Sequence, residues 1–106
     1  MIKDIYKQEI NEILSSFKTK NFLNAKIKIE NLIKTYPNDM FLENIYGVFQ
    51  LNCNNLKDAI SVFNKLIKKY PNNAVAHYNL GLCYEKEKLY DEAREHLLFA
   101  IDLNND

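Results

Sequence analysis

Three alanines, Ala25, Ala59 and Ala93, stand 34 residues apart, and each is followed at the same offset by a large apolar residue: Ile29, Phe63 and Leu97. Gly47 and Gly81 keep that interval, and so do Pro37 and Pro71. A fixed period with small and large apolar residues at constant offsets marks a repeat architecture. Each unit is one supersecondary element that buries its apolar face only by stacking on its neighbours. Three units account for nearly all of the 106 residues, enough for a modest core.

Within each period the apolar spacing is helical. The first unit carries Ile10, Ile13, Leu14 and Phe17 at intervals of three and four, the stripe of an amphipathic helix running to about Lys18. Thr19-Lys20-Asn21 reads as a turn. A second helix begins near Leu23 with Ala25, Ile29, Leu32 and Ile33, and stops before Pro37, because proline cannot continue a helix and disfavours helical geometry in the residue before it. The second unit opens at Met40, turns at Asn54-Asn55 and returns through Ala59, Phe63, Leu66 and Ile67 to Pro71. The third runs from Ala74 to about Glu87, turns at Lys88 and resumes at Asp91. There Asp91 and Glu92 put negative charge at a helix N-terminus. Ala93, Leu97, Ala100 and Ile101 read as its inward face. A mid-helix glycine costs about 1 kcal/mol against alanine, so Gly47 and Gly81 mark places where two helices cross closely. The expected fold is all-α: one domain over residues 1–106, an α-solenoid of three tandem helix-turn-helix units at about 6–39, 40–73 and 74–106.

These residues carry a resemblance. Leu80, Gly81, Tyr84, Ala93, Leu97 and Ala100, with Tyr90-Asp91-Glu92-Ala93, resemble the tetratricopeptide repeat pattern over its 34-residue length. The second unit matches at Gly47, Ala59, Phe63 and Pro71, and the first at Ala25, Ile29, Leu32 and Pro37. The first unit departs in having Ile13 where the others have glycine. Its stripe fits the family better if its first helix slides by one residue, with a turn one residue shorter. Otherwise Glu9 and Glu12 would face the core unpaired. The resemblance implies antiparallel helix pairs stacked in a right-handed superhelix. Its concave groove, lined by the first helices, holds a peptide or a partner's helix. It implies an adaptor or scaffold rather than a catalyst.

On that resemblance the partner-binding groove comprises Phe41, Asn44, Val48 and Leu51 in the second unit and Val75, Tyr78 and Leu82 in the third. With the slide, the first unit offers Gln8, Asn11, Ser15 and Lys18, so the groove is expected to be polar at one end. The Lys, Asn and Arg clamp by which one subclass holds a C-terminal carboxylate is missing, since its places hold Asn11, Ser15, Ile45, Val75 and Asn79. The apolar groove has two readings: a seat for a partner segment, or interior packing between first helices. At the far end, Leu98 and Phe99 stand where the earlier units have Glu30-Asn31 and Asn64-Lys65, and Leu103 stands where they have Thr35 and Lys69. A solenoid needs a polar last face or a cap. Self-association through Leu98, Phe99 and Leu103, excision from a longer protein, and rotation of the last helix to bury them all fit.

Other chemistry finds little support. Fourteen basic and fourteen acidic residues give zero net charge, against a charge-driven nucleic-acid or membrane-surface binder. No apolar run reads as a signal peptide or membrane span, so a cytoplasmic location is expected, with Cys53 and Cys83 as buried free thiols. Glu92 and His96 share a helix face but lack a second pair of metal ligands, and read as a solvated acid–base pair. His77 and Cys83 point to different sides of their helix. No phosphate loop exists. The expectation is a non-enzyme with no catalytic, cofactor or metal site.

Overall fold

The chain doubles back three times through the same turn. A computed structural model describes residues 2–104, with the backbone alone for residues 2 and 3. Met1, Asn105 and Asp106, which fall within the span read as one domain, lie outside the described residues. Six helices follow one another: α1 Ile2–Lys18, α2 Phe22–Thr35, α3 Met40–Asn52, α4 Leu56–Lys69, α5 Ala74–Lys86 and α6 Tyr90–Asn104. Among the described residues there is no strand. Each helix packs on the next in sequence, and α3 also touches α5. The architecture is an all-α solenoid of helical repeats.

The turns inside the hairpins are equivalent to the residue. Lys20, Asn54 and Lys88 each take a left-handed backbone, with φ of 59°, 62° and 63°. In the first turn the amide of Asn21 donates to the carbonyl of Ser16 (2.9 Å) and that of Lys20 to Phe17 (3.2 Å). The pairs Asn55 to Gln50 and Asn54 to Leu51 repeat this in the second turn, and Leu89 to Tyr84 and Lys88 to Glu85 in the third. This is the Schellman arrangement, which satisfies the last carbonyls of a helix and reverses its direction. Lysine there bears a left-handed cost that glycine would not.

The equivalence corrects the slide expected for α1. The first turn is as long as the others, and Ile13 stands in register with Gly47 and Gly81. Glu12 is held by an ion pair with Lys28 on α2, and its carboxyl is pushed below its usual range by that lysine. Glu9 is half-buried rather than enclosed. The core is not burdened by either acid, so nothing forces the helix to shift. Phe17 instead stacks on Phe49 of α3, with ring centroids 6.3 Å apart.

The spine is where periodicity placed it. Ala25, Ala59 and Ala93 are 0%, 0% and 3% exposed. Small residues there let the helices of a pair approach closely. A Cβ built on Gly47 would lie 2.5 Å from the Phe63 ring, and one on Gly81 would lie 2.7 Å from Leu97 Cγ. Ile13 fills the same position in the first hairpin opposite the smaller Ile29, and α1 approaches α2 less closely than α5 approaches α6. Two apolar clusters result. Leu42, Ile45 and Phe49 of α3 join α1 and α2, whereas Leu51 of α3 joins α4 and α5. One inward reading fails: Ile101 is exposed. Its counterparts Ile33 and Ile67 are half-buried in the two clusters, whereas among the described residues no helix follows α6 to cover it.

Candidate functional site

The first helices α1, α3 and α5 border an apolar trough with α3 at its centre. A cleft of about 300 Å³ opens there, lined by Leu14 and Phe17 from α1, Met40, Phe41, Asn44, Ile45 and Val48 from α3, and Asn73 and Val75 at the start of α5. Of the seven expected groove residues, Phe41, Asn44, Val48 and Val75 meet in this cleft. Phe41, Val75 and Tyr78 are 53%, 55% and 51% exposed. Tyr78 and the half-buried Leu82 lie outside the cleft's lining, and Leu51 is buried in the core. The first unit does not contribute a polar end. Gln8, Asn11, Ser15 and Lys18 are exposed and line no part of the cleft, while Leu14 and Phe17 do. This follows from the in-register α1.

Two amides stand in that apolar wall. Asn44 is 6% exposed; its Nδ2 donates to the Met40 carbonyl at 3.3 Å, and its buried Oδ1 has no partner. Asn73 caps α5 by accepting the amide of Ala76 on Oδ1 at 3.0 Å, and its buried Nδ2 has no partner. Each side chain is fixed at one end and idle at the other. A buried polar atom left unpaired costs about 1–3 kcal/mol, so such groups need an explanation in a native structure. Asn73 is absent from the expected groove residues. The repeats hold a partial signal: Asp39, one period earlier, is also an N-cap and accepts from Leu42. Asn44 stands where the other units have Ile10 and Tyr78, a polar replacement visible in the sequence.

A larger hollow of about 620 Å³ lies against the other face of α3, between α2 and α4. Glu30, Glu43, Lys34, Lys65 and Lys69 ring it. Those heads need water, and the lysine stems cover its apolar floor. Neither unpartnered amide lies there, so we place the site in the smaller trough.

At the last hairpin two histidines meet. His77 Nε2 lies 2.9 Å from the Pro71 carbonyl. A carbonyl only accepts, so Nε2 carries the proton. His77 Nδ1 then accepts from His96 Nδ1 at 3.2 Å. Phe99 packs on His77 with ring centroids 4.4 Å apart, and Tyr84 stacks on His96. His96 therefore pairs with His77 across α5 and α6, which corrects its reading as a solvated partner of Glu92. Burial and then the neighbouring His77 lower the His96 pKa, opposed by Glu95. The folded state thus favours neutral His96. Unfolding takes up a proton between the ordinary value of 6.5 and the lower folded one, so this contribution is present above that window and is lost as pH falls through it. The thermal unfolding midpoint is expected to drop on acidification from about pH 7 to about pH 5.5. His96→Gln, which still donates to His77, is expected to flatten that segment in melts across buffers.

The Tyr6 hydroxyl donates to Asp39 Oδ2 at 3.1 Å, tying α1 to the cap of α3, and burial followed by Asp39 pushes its pKa up to about 12. Cys53 is half-buried and Cys83 buried, both as free thiols. Burial pushes Cys83 up to about 11, which leaves it a thiol at neutral pH. Among the described residues no cluster of three or more metal-ligating side chains exists. No helix there is long and apolar enough to cross a membrane.

Comparison with known proteins decides the family. Tetratricopeptide repeat profiles match residues 62–95 and 45–73. A peroxisomal targeting signal receptor from Candida glabrata is 32% identical over 73 residues, covering 69% of this chain and 12% of the receptor. The chain belongs to the tetratricopeptide repeat family. Solved structures share the fold. MamA AMB-1 superposes with a TM-score of 0.71 at 20% identity, covering 92% of this chain and 53% of MamA. MamA MSR-1 gives 0.73 at 20%, covering 93% and 57%. The chain thus spans about half the length of these MamA proteins. Tetratricopeptide repeats are protein-interaction modules and generally not catalysts, which sets the class of function for this tetratricopeptide repeat protein.

Proposed function

We propose that the chain is an adaptor that holds a segment of a partner protein in the trough between α1, α3 and α5. One observation carries this. Phe41 and Val75 line the cleft and are more than half exposed, Tyr78, three residues along α5 from Val75, is as exposed, and contiguous exposed apolar surface marks an interaction site. The family supports the reading, as does the likeness to a receptor whose name refers to a targeting signal. Phe41, Val48, Val75, Tyr78 and Leu82 supply apolar contact, joined by Leu14 and Phe17, and Asn44 orients the partner. A charge placed at Val48 or Leu82 faces a desolvated partner surface with no counter-charge. Capture of partners from an extract of the native cell, quantified by mass spectrometry, is expected to fall at least about tenfold for Val48→Asp and Leu82→Asp. Their helical circular dichroism should be unchanged. Retention of the same partners by both variants would overturn the assignment.

A second reading rests on α6. Leu98, Phe99 and Ile101 are exposed on one helix, with Leu103 half-buried beside them. Burying the surface that each still exposes in a second copy would contribute roughly 0.7–1.5 kcal/mol, about half the value for a whole side chain. Sedimentation over a concentration series tests it. A dimer that Leu98→Ser and Phe99→Ser dissolve supports self-association, and a strict monomer at high concentration removes it.

A further inference from the structure

We propose that the hollow between α2 and α4 is a ligand site, separate from the trough, for a small aromatic acid: a flat apolar body carrying one carboxylate. The repeat itself shows what such a space accepts. One period later, the counterparts of Glu43, Val62 and Lys65 are His77, His96 and Phe99. There the rings pack on one another, with the centroids of His77 and Phe99 4.4 Å apart and those of His77 and His96 5.5 Å apart. His77 also reaches the Pro71 carbonyl, just past the end of α4, at 2.9 Å. The rung between α4 and α6 is thus filled by the chain's own rings. Between α2 and α4 the same positions bear a short valine and two side chains with charged ends, and about 620 Å³ stays open.

The lining fits that ligand. Ile33, Val62 and Leu66 supply apolar surface beside the Tyr46 ring, and a hollow of this size with apolar walls and a few charged groups suits a small molecule. A flat ring takes the place that His96 and Phe99 fill one rung later, and Tyr46 gives it an aromatic neighbour to stack on. The rim selects the head group. Lys34 lines the hollow from α2 and Lys65 from α4, and among the described residues neither forms an ion pair. Lys69 donates to Asn38 Oδ1 at 3.2 Å. Glu30 and Glu43 share the rim, so three ammonium groups stand against two carboxylates. A ligand carboxylate balances the surplus and takes charge-assisted hydrogen bonds from both walls. A ligand ammonium meets three like charges against two opposite ones. The lysine stems are long and apolar, so they can fold over the ring while their heads hold the acid.

The probes are 2-naphthoate, its neutral amide 2-naphthamide and the cation 2-naphthylmethylammonium, each titrated into the isotope-labelled 106-residue chain. Naphthoate is expected to shift the methyl signals of Ile33, Val62 and Leu66, with a dissociation constant of about 0.1–1 mM for a ligand of this size. Naphthamide is expected to bind about 5-fold more weakly, and the cation more weakly still. Glu43→His, Val62→His and Lys65→Phe together copy the filled rung. That triple variant is expected to keep its helical circular dichroism and to lose naphthoate affinity by at least about tenfold. Lys34→Gln with Lys65→Gln leaves the hollow open. It is expected to weaken naphthoate about 5- to 10-fold and to leave naphthamide unchanged, which a collapsed hollow would not do. Val48→Asp, on the trough side of α3, is expected to leave naphthoate affinity as it is, so the two sites are tested apart. The proposal is overturned by no naphthoate binding up to about 5 mM, by equal affinity for acid and cation, or by undiminished binding in both the filled and the lysine variants. Loss of a captured protein partner in the filled variant, with no naphthoate binding to the parent chain, would assign the hollow to a macromolecule and overturn it as well.

Discussion

Phe63→Ala is expected to cost the fold about 3–5 kcal/mol, the range for emptying a fully buried aromatic site. Phe63 has no exposed surface and its ring closes over Gly47. The more telling result is the pair. Alone, Gly47→Ala is expected to destabilise by about 1–3 kcal/mol, because its methyl meets a ring that has nowhere to retreat. Once Phe63 is alanine the obstruction is gone. The same Gly47→Ala change should then stabilise, towards the roughly 1 kcal/mol by which a helix prefers alanine. Urea denaturation of the four proteins of this cycle measures the inversion. Simple additivity would mean that the crossing of α3 and α4 is not set by this contact.

Leu80→Ala is expected to lose about 2–5 kcal/mol. Leu80 has no exposed surface and packs in the cluster that joins α5 to Leu51, Phe63 and Leu66. Leu98→Ala, on the same hairpin, should change stability by no more than about 0.5 kcal/mol, because Leu98 is 48% exposed. The two leucines differ in environment rather than in chemistry, so denaturation of the two variants reads burial directly. Equal losses would show that the outer face of α6 is covered in solution, and would favour association through it.

Much of this is legible in the sequence because a repeat serves as its own alignment. Ala25, Ala59 and Ala93 reach the core, and the two glycines meet Phe63 and Leu97, as a close crossing requires. The register of α1 is misleading for a physical reason. Leu14 is exposed and lines the trough, and Phe17 lines it while also packing against the core, yet in a stripe both look like core. What settles the register is the backbone of the turns, and lysine at Lys20 and Lys88 gives no hint of left-handed geometry. Ile101 misleads in the opposite way, since its counterparts are covered by a following helix. The idle ends of Asn44 and Asn73 are out of a sequence's reach. A sequence shows that an amide is present, not which of its atoms lacks a partner.

The position-for-position equivalence of the backbone in the three Schellman turns gives the molecule a natural increment of growth. A gene duplication that copied residues 40–73 in frame would splice in another hairpin already wound to the correct phase. It would lengthen the trough by one rung and leave the existing ones unaltered. Deleting one residue from any of these turns would instead swing the following helix by about 100°, turning its alanine outward. Such a protein evolves readily by whole units and poorly by single steps.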